Sequence, residues 1–280
     1  MTGVGVITDS GCDLPPGLTD EQGIDVVPLT IRFGEEELLD RRDLTPQDFW
    51  ARCARTPRLP ETAAPSPGAF QEAYDRAAAA GATGLVCVTL SSALSATYQS
   101  AITAAQAVAD RVPVRVVDSR SVSIGLGLMA LTAARMARDG KALDDVAGAA
   151  EDLVGRTRVF GALDTLENLK RGGRIGGAEA FLGSLLSIKP IIEVRDGVVE
   201  SESRQRTRGR SLQYLVAKVR EAGEVENLAV MHARAADVDH LLDLLGAVYP
   251  RDGILVGEIG PVIGTHAGPG CIGVAFHVPG

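Results

Sequence analysis

The residues best suited to chemistry are hydroxyls, arginines and one imidazole, and their shared aptitude is for binding an anion. Ser91-Ser92-Ala93-Leu94-Ser95-Ala96-Thr97-Tyr98 follows the apolar run Leu85 to Leu90 and opens a helical pattern. Its hydroxyls stand where the first amides of a helix have no intrahelical partner, so Ser95 either caps those donors or belongs to an anion site built on them. Thr62 lies in a proline-rich stretch with no helix of its own to cap, which suits a ligand contact. Lys170-Arg171-Gly172-Gly173-Arg174-Ile175-Gly176-Gly177 packs three cations among four glycines. Glycine permits close backbone approach to an anion and arginine binds it bidentately; the alternative is a helix C-cap and a turn. His266 sits among small residues in a glycine and proline loop, Gly260 to Gly270, and is either a ligand contact or a loop tie. Thr8, Asp9 and Ser10 end a strand, the usual ligand edge of an open α/β sheet, or form an Asx turn.

The elements that must position these residues begin as an α/β alternation. Val4 to Ile7, Val26 to Phe33, Leu85 to Leu90 and Val114 to Val117 read as strands, and the strand, helix, strand spacing fits a parallel sheet with right-handed crossovers. Glu35 to Glu37 reads as a solvated loop, and Thr56 to Pro67, with four prolines, as an extended one. Thr45-Pro46 and Ser66-Pro67 are helix starts with a cap and a first-turn proline. Gly125-Leu126-Gly127-Leu128-Met129-Ala130 matches a loose dinucleotide pattern but comes well after its strand, so it reads as a buried helix.

The second half starts with a strand at Val159 to Leu163 and a short helix from Asp164 to Leu169. A helix over Leu182 to Leu186 and a strand at Ile188 to Val194 follow, then Asp196-Gly197 as a two-residue hairpin turn. The order is no longer purely βαβ. The composition changes near Arg156, which divides the chain into an N-terminal α/β domain, residues 1–156, and a C-terminal α/β domain with a mixed sheet, residues 157–280.

Composition narrows the function classes. The 280 residues are 45% hydrophobic, enough for a large core, and the net charge of −8 with dispersed cations argues against nucleic acid or an anionic membrane as partner. No apolar run approaches a membrane span and no signal-like segment opens the chain, so a cytoplasmic location without stable membrane insertion is expected. Cys12, Cys53, Cys87 and Cys271 are too scattered for a zinc site, and neither a metal nor a cofactor is expected.

Taken together, these motifs resemble the DegV family of bacterial lipid-binding proteins along essentially the whole chain. The resemblance is carried by Thr8-Asp9-Ser10 with Asp13-Leu14-Pro15, Val27-Pro28-Leu29, Thr62 to Gly68, Ser91 to Tyr98, Asp118-Ser119, Gly172-Gly173-Arg174-Ile175, Ile188-Lys189-Pro190 and the His266 loop. It implies a two-domain fold with the ligand between the domains. That ligand is one long-chain fatty acid such as palmitate or oleate, its chain in an apolar tunnel. Thr62 and Ser95 match the residues that hold the carboxylate, Arg174 and His266 complete the headgroup site, and Ser92 and Arg171 are near enough to assist.

The resemblance also implies a carrier rather than an enzyme. A separate fatty acid kinase phosphorylates the bound carboxylate to an acyl phosphate, which passes to phospholipid synthesis. Two motifs depart from the pattern: Thr62-Ala63-Ala64-Pro65-Ser66 replaces Thr-Ser-Gln-Pro-Ser, and Ser95-Ala96-Thr97 replaces Ser-Gly-Thr. The aliphatic composition, with 4% aromatics, suits such a tunnel. A stand-alone phosphotransferase or hydrolase is the main rival, although phosphate-loop and nucleophile-elbow motifs are missing. A lipid-sensing regulatory module would use the same pocket.

Overall fold

The computed structural model describes residues 3–56, 58–181 and 188–280. Alternation along the first strands explains the N-terminal layers. In the four-stranded parallel sheet, ordered Ile24–Val27, Gly3–Asp9, Ala82–Thr89, Val114–Asp118, side chains leave opposite faces in turn. Ile7, Leu85 and Cys87 pack on one face with Phe70, Tyr74 and Ala101 of the helices Pro67–Ala79 and Thr97–Ala107. Val6, Val86 and Val88 pack on the other, against Ser123–Arg138 and Leu143–Arg156.

The C-terminal sheet has six strands ordered Val198–Gln205, Lys189–Arg195, Thr157–Ala162, Ile272–His277, Glu226–His232, Leu255–Glu258. All neighbours are antiparallel except the last pair. The helices Arg208–Glu221 and Val238–Leu245 cover one face. The opposite face, with Val159, Val194 and Met231, joins the same core as the N-terminal sheet. The Ser123–Arg138 helix therefore lies between the two sheets, buried on all sides along Ser123 to Leu131. The glycines of the rejected dinucleotide pattern make this passage fit. A Cβ on Gly127 would stand 2.7 Å from the Cys12 carbonyl oxygen, and one on Gly125 would stand 2.5 Å from a Val159 methyl.

Four expectations are corrected. The Val26 to Phe33 run is two strands: Ile24–Val27 stays in the parallel sheet, while Thr30–Phe33, past Pro28, starts a separate antiparallel sheet ordered Glu36–Leu39, Thr30–Phe33, Glu61–Ala63. The acidic loop is thus largely a strand, with Glu36 and Glu37 exposed on it, and Thr62 stands in a strand rather than an extended loop. Its register, Thr62 opposite Ile31, fixes which way the hydroxyl turns. The His266 loop is also a helix, Pro261–Ala267, with Gly260 as N-cap, proline in its first turn and Gly268 after its end at φ 78°. That is the usual placement of proline and glycine at helix ends. The helix expected over Leu182 to Leu186 lies outside the described residues.

The Asp196-Gly197 turn is as expected, both residues at positive φ, 53° and 84°. Among the described residues no helix is long and apolar enough to cross a membrane. Nor, among them, do three or more His, Cys, Asp or Glu side chains gather to hold a metal ion.

Candidate functional site

Where the parallel sheet, the small antiparallel sheet and the C-terminal sheet meet, side chains enclose a cavity of about 200 Å³. Its wall is aliphatic, with Leu29, Leu90, Leu94, Val122 and Leu169 joined by Ile192, Val194 and Val199 of the C-terminal sheet and by Val262 and Ile263. Its polar lining is Thr62, Ser95, Arg174 and His266. Thr62, Arg174 and His266 also line an adjoining outer chamber of about 450 Å³, together with Arg58, Asn168 and Arg171. They therefore stand at the passage between the two spaces.

Each polar residue is placed by local structure. Ser95 follows the turn closed by Ser95 N–H donating to the Ser91 carbonyl. Its Oγ accepts from the Thr97 amide at 3.3 Å and is hydrogen-bonded to Thr97 Oγ1 at 2.8 Å, so, from one residue before the N-cap Ala96, it satisfies the first amide of the helix while lining the cavity. Ala96, where the family pattern has glycine, sits at φ −75° and needs no glycine there.

Arg174 is returned to the site by Gly173 at φ 68°. Its Nη1 donates to the Gly172 carbonyl at 2.7 Å and its Nε to the Leu94 carbonyl at 3.1 Å, so one guanidinium ties the C-terminal glycine segment to the N-terminal serine turn. Gly172 is required by crowding: a Cβ there would fall 2.2 Å from His266 Nδ1.

His266 Nε2 lies 3.0 Å from Thr62 Oγ1. Burial, reinforced by the Arg174 charge, pushes the imidazole down to about 4, so it is neutral at pH 7. The neutral ring can meet the hydroxyl in either sense: with its proton on Nε2 it donates and leaves the threonine hydroxyl to donate into the cavity, and with its proton on Nδ1 it accepts from that hydroxyl. Asn168 Nδ2, donating to the Thr265 carbonyl at 3.0 Å, holds the end of the histidine helix. The arrangement offers hydroxyl and guanidinium donors to an anionic head and an aliphatic surface to whatever is attached to it.

Two assigned residues fall outside this cavity. Ser92 is exposed, its Oγ donating to Asp118 Oδ2 at 2.5 Å and its amide to Oδ1 at 3.1 Å, because the neighbouring strand ends beside it in a carboxylate. Arg171 lines only the outer chamber, and its Nε donates to Glu167 Oε1 at 2.6 Å, one helical turn back. Thr8, Asp9 and Ser10 are fully engaged in the scaffold. Thr8 Oγ1 donates to the Val88 carbonyl, Asp9 accepts from the Gly11 and Leu90 amides, and Ser10 Oγ accepts from the Leu29 amide. Cys12 is buried and its thiol is pushed up to about 11, an unreactive form. The lining residues Leu94, Val122, Leu169 and Val262 carry no sequence signal, being ordinary apolar positions from separate segments.

An α/β protein whose sheets enclose an aliphatic cavity lined at Thr62, Ser95, Arg174 and His266 by polar groups is the class these features define. The chain belongs to the DegV family, whose model, described as "Uncharacterised protein, DegV family", matches residues 3–278. It is 38% identical over 275 residues to a DegV domain-containing protein of Streptomyces coelicolor, covering 97% of each chain. It is 37% identical to one of Mycobacterium tuberculosis, covering 98% of this chain and 96% of the relative.

Among solved structures, a DegV family protein from Thermus thermophilus, described for its fatty acid binding, matches with a TM-score of 0.90 at 33% identity, covering 99% of this chain and 100% of that one. DegV of Bacillus subtilis, described as a fatty acid binding protein, matches at 0.86 and 28% with all of both chains covered. A stearic acid-binding protein from Eubacterium ventriosum matches at 0.85 and 25%, covering 99% and 98%.

Proposed function

We propose that this protein binds one long-chain fatty acid. The aliphatic cavity takes the chain, and Thr62, Ser95, Arg174 and His266 receive the carboxylate. The observation that carries this reading is that four polar residues from four distant segments line a single, otherwise aliphatic cavity. The fatty acid binding described for similar structures supports it.

The finer reading is that the protein is a carrier that presents the carboxylate to a separate fatty acid kinase. The acyl phosphate it then holds feeds phospholipid synthesis in the cytoplasm. Two features support this. Thr62, Arg174 and His266 stand between the cavity and the outer chamber, so the head of a bound acid is reachable from outside. Arg58 and Arg171 line that chamber, and cations there stabilise the charge that a phosphoryl group adds, more in the transition state than in the bound acid. Ser92 is not assigned a role in holding the ligand. Arg171 is assigned to the chamber.

Reconstitution tests the carrier reading. With a fatty acid kinase and ATP, acyl phosphate should form only when this protein is present, and the protein alone should form none. Turnover by the purified protein without kinase would favour a stand-alone phosphotransferase instead. Arg174→Ala and His266→Ala should lose phosphorylation by far more than they lose fatty acid affinity; losses in proportion would leave these residues a binding role only.

A further inference from the structure

The short turn Asp9 to Asp13 carries two buried carboxylates, and each reaches an element that builds the polar end of the cavity. Asp9 Oδ2 accepts from the amide of Leu90, which lines the cavity and leads into the serine turn of Ser95. Asp13 Oδ1 accepts from the amide of Gly260 at 2.9 Å, the N-cap of the helix that ends in His266. Asp13 Oδ2 accepts from Ser123 Oγ at 2.6 Å, at the start of the helix between the sheets and next to the lining residue Val122.

The surroundings are shaped to this carboxylate. Asp13 is 3% exposed and sits at φ 50°, a conformation that aspartate tolerates better than most residues. A Cβ on Gly257 would stand 2.8 Å from the Asp13 carbonyl oxygen, so glycine lets the Leu255–Glu258 strand end against the turn. Asp13 itself, with Ser123, Gly257 and Gly260, is not among the residues that line the cavity.

We propose that Asp13 is a positioning residue for the polar end of the cavity, setting the place of His266 through the amide of Gly260, the N-cap of the Pro261–Ala267 helix. This rests on the fatty acid reading above. Gly260 and His266 belong to one rigid turn-and-a-half of helix, so a shift at the amide is carried to the imidazole. A displacement near an ångström breaks a 3.0 Å hydrogen bond such as that of His266 to Thr62. The far end of the helix keeps its own anchor, Asn168 to the Thr265 carbonyl, so loss of the Asp13 contact misplaces the helix rather than freeing it.

The test compares palmitate with the corresponding alcohol, which has the same chain and no carboxylate, by displacement of a fluorescent fatty acid probe. Asp13→Gly removes the carboxylate and suits the backbone at φ 50°. Asp13→Asn keeps an acceptor for Gly260 and turns its amide towards Ser123 Oγ. In the parent, palmitate should bind more tightly than the alcohol. Asp13→Gly should lower that preference by about tenfold or more, the scale of one lost hydrogen bond to a charged group, while Asp13→Asn stays within about threefold of the parent.

Equal losses for acid and alcohol in a folded Asp13→Gly protein, or an unchanged preference, would overturn the assignment and leave Asp13 a purely structural residue. A folded Asp13→Asn protein that loses the preference overturns it as well, and that variant decides the matter if the glycine variant does not fold. A parent that binds palmitate no better than the alcohol removes the fatty acid reading and this assignment together.

Discussion

Thr62 and His266 are 204 positions apart in the chain, yet the threonine hydroxyl and the histidine Nε2 meet at 3.0 Å. The contact closes the small antiparallel sheet onto the C-terminal helix that bears the imidazole, at the passage between the two cavities. Because His266 is held neutral, it acts by hydrogen bonding rather than as a second cation beside Arg174.

The hydroxyls are expected to carry much of the headgroup affinity. Each hydrogen bond to a charged group is worth about 1.5–3 kcal/mol, so Thr62→Ala with Ser95→Ala should weaken fatty acid binding by about one to several powers of ten. Calorimetric titration with oleate checks this, with circular dichroism showing that the double variant is folded. Unchanged affinity would leave Ser95 with only its contacts to Thr97.

Ser92→Ala gives the contrasting result. Its hydroxyl is spent on Asp118 at the surface, so fatty acid affinity should match the parent and stability should change by no more than about 1 kcal/mol. A tenfold loss of affinity would return Ser92 to the site.

Gly172→Ala should act through His266. The added methyl falls where Nδ1 stands, so the ring must move, costing about 1–3 kcal/mol of stability and breaking the bond to Thr62. A crystal structure of the variant with His266 undisturbed would contradict the crowding described for this pair.

The histidine also predicts an acid-side stability trend. Its folded value of about 4 lies below the ordinary 6.5, so between pH 6.5 and 4 the unfolded chain binds the proton more readily and stability falls as pH falls. Asp9 and Asp13, raised by burial to about 7, work in the opposite direction over an overlapping window: the folded state binds their protons more readily, and stability falls as pH rises. The histidine effect is therefore isolated by difference. The melting temperature of the parent minus that of His266→Gln should decrease as pH drops from 6.5 to 4; a constant difference would contradict a buried neutral imidazole.

What the sequence disclosed follows from how local each signal is. The runs Val4 to Ile7 and Leu85 to Leu90, the caps at Thr45 and Ser66, and the Asp196-Gly197 turn are specified by adjacent residues, and the fold contains them. The strand holding Thr62 was not legible because its pairing with Ile31 spans about thirty residues of intervening chain and leaves no period in three residues. The Pro261–Ala267 helix was hidden by its shortness and by its glycines, which suggest a loop unless the proline is read as a first-turn residue.

At the site, residue types alone left Ser95 between cap and ligand contact, and its geometry accommodates both roles. Family resemblance brought Thr62, Ser95, Arg174 and His266 together. It could not show that Ser92, three residues before Ser95, turns towards Asp118, because hydroxyl spacing does not say which partner a strand end supplies.

The central claim is that the cavity holds a fatty acid, and the most direct measurement is mass spectrometry of the denaturing extract of protein purified from a bacterial host. The account predicts about one long-chain fatty acid per chain, and a melting temperature that rises when oleate or palmitate is added to delipidated protein, as mass action requires of a ligand for the native state. An extract of well-folded protein with no fatty acid, together with no rise in melting temperature, would contradict it.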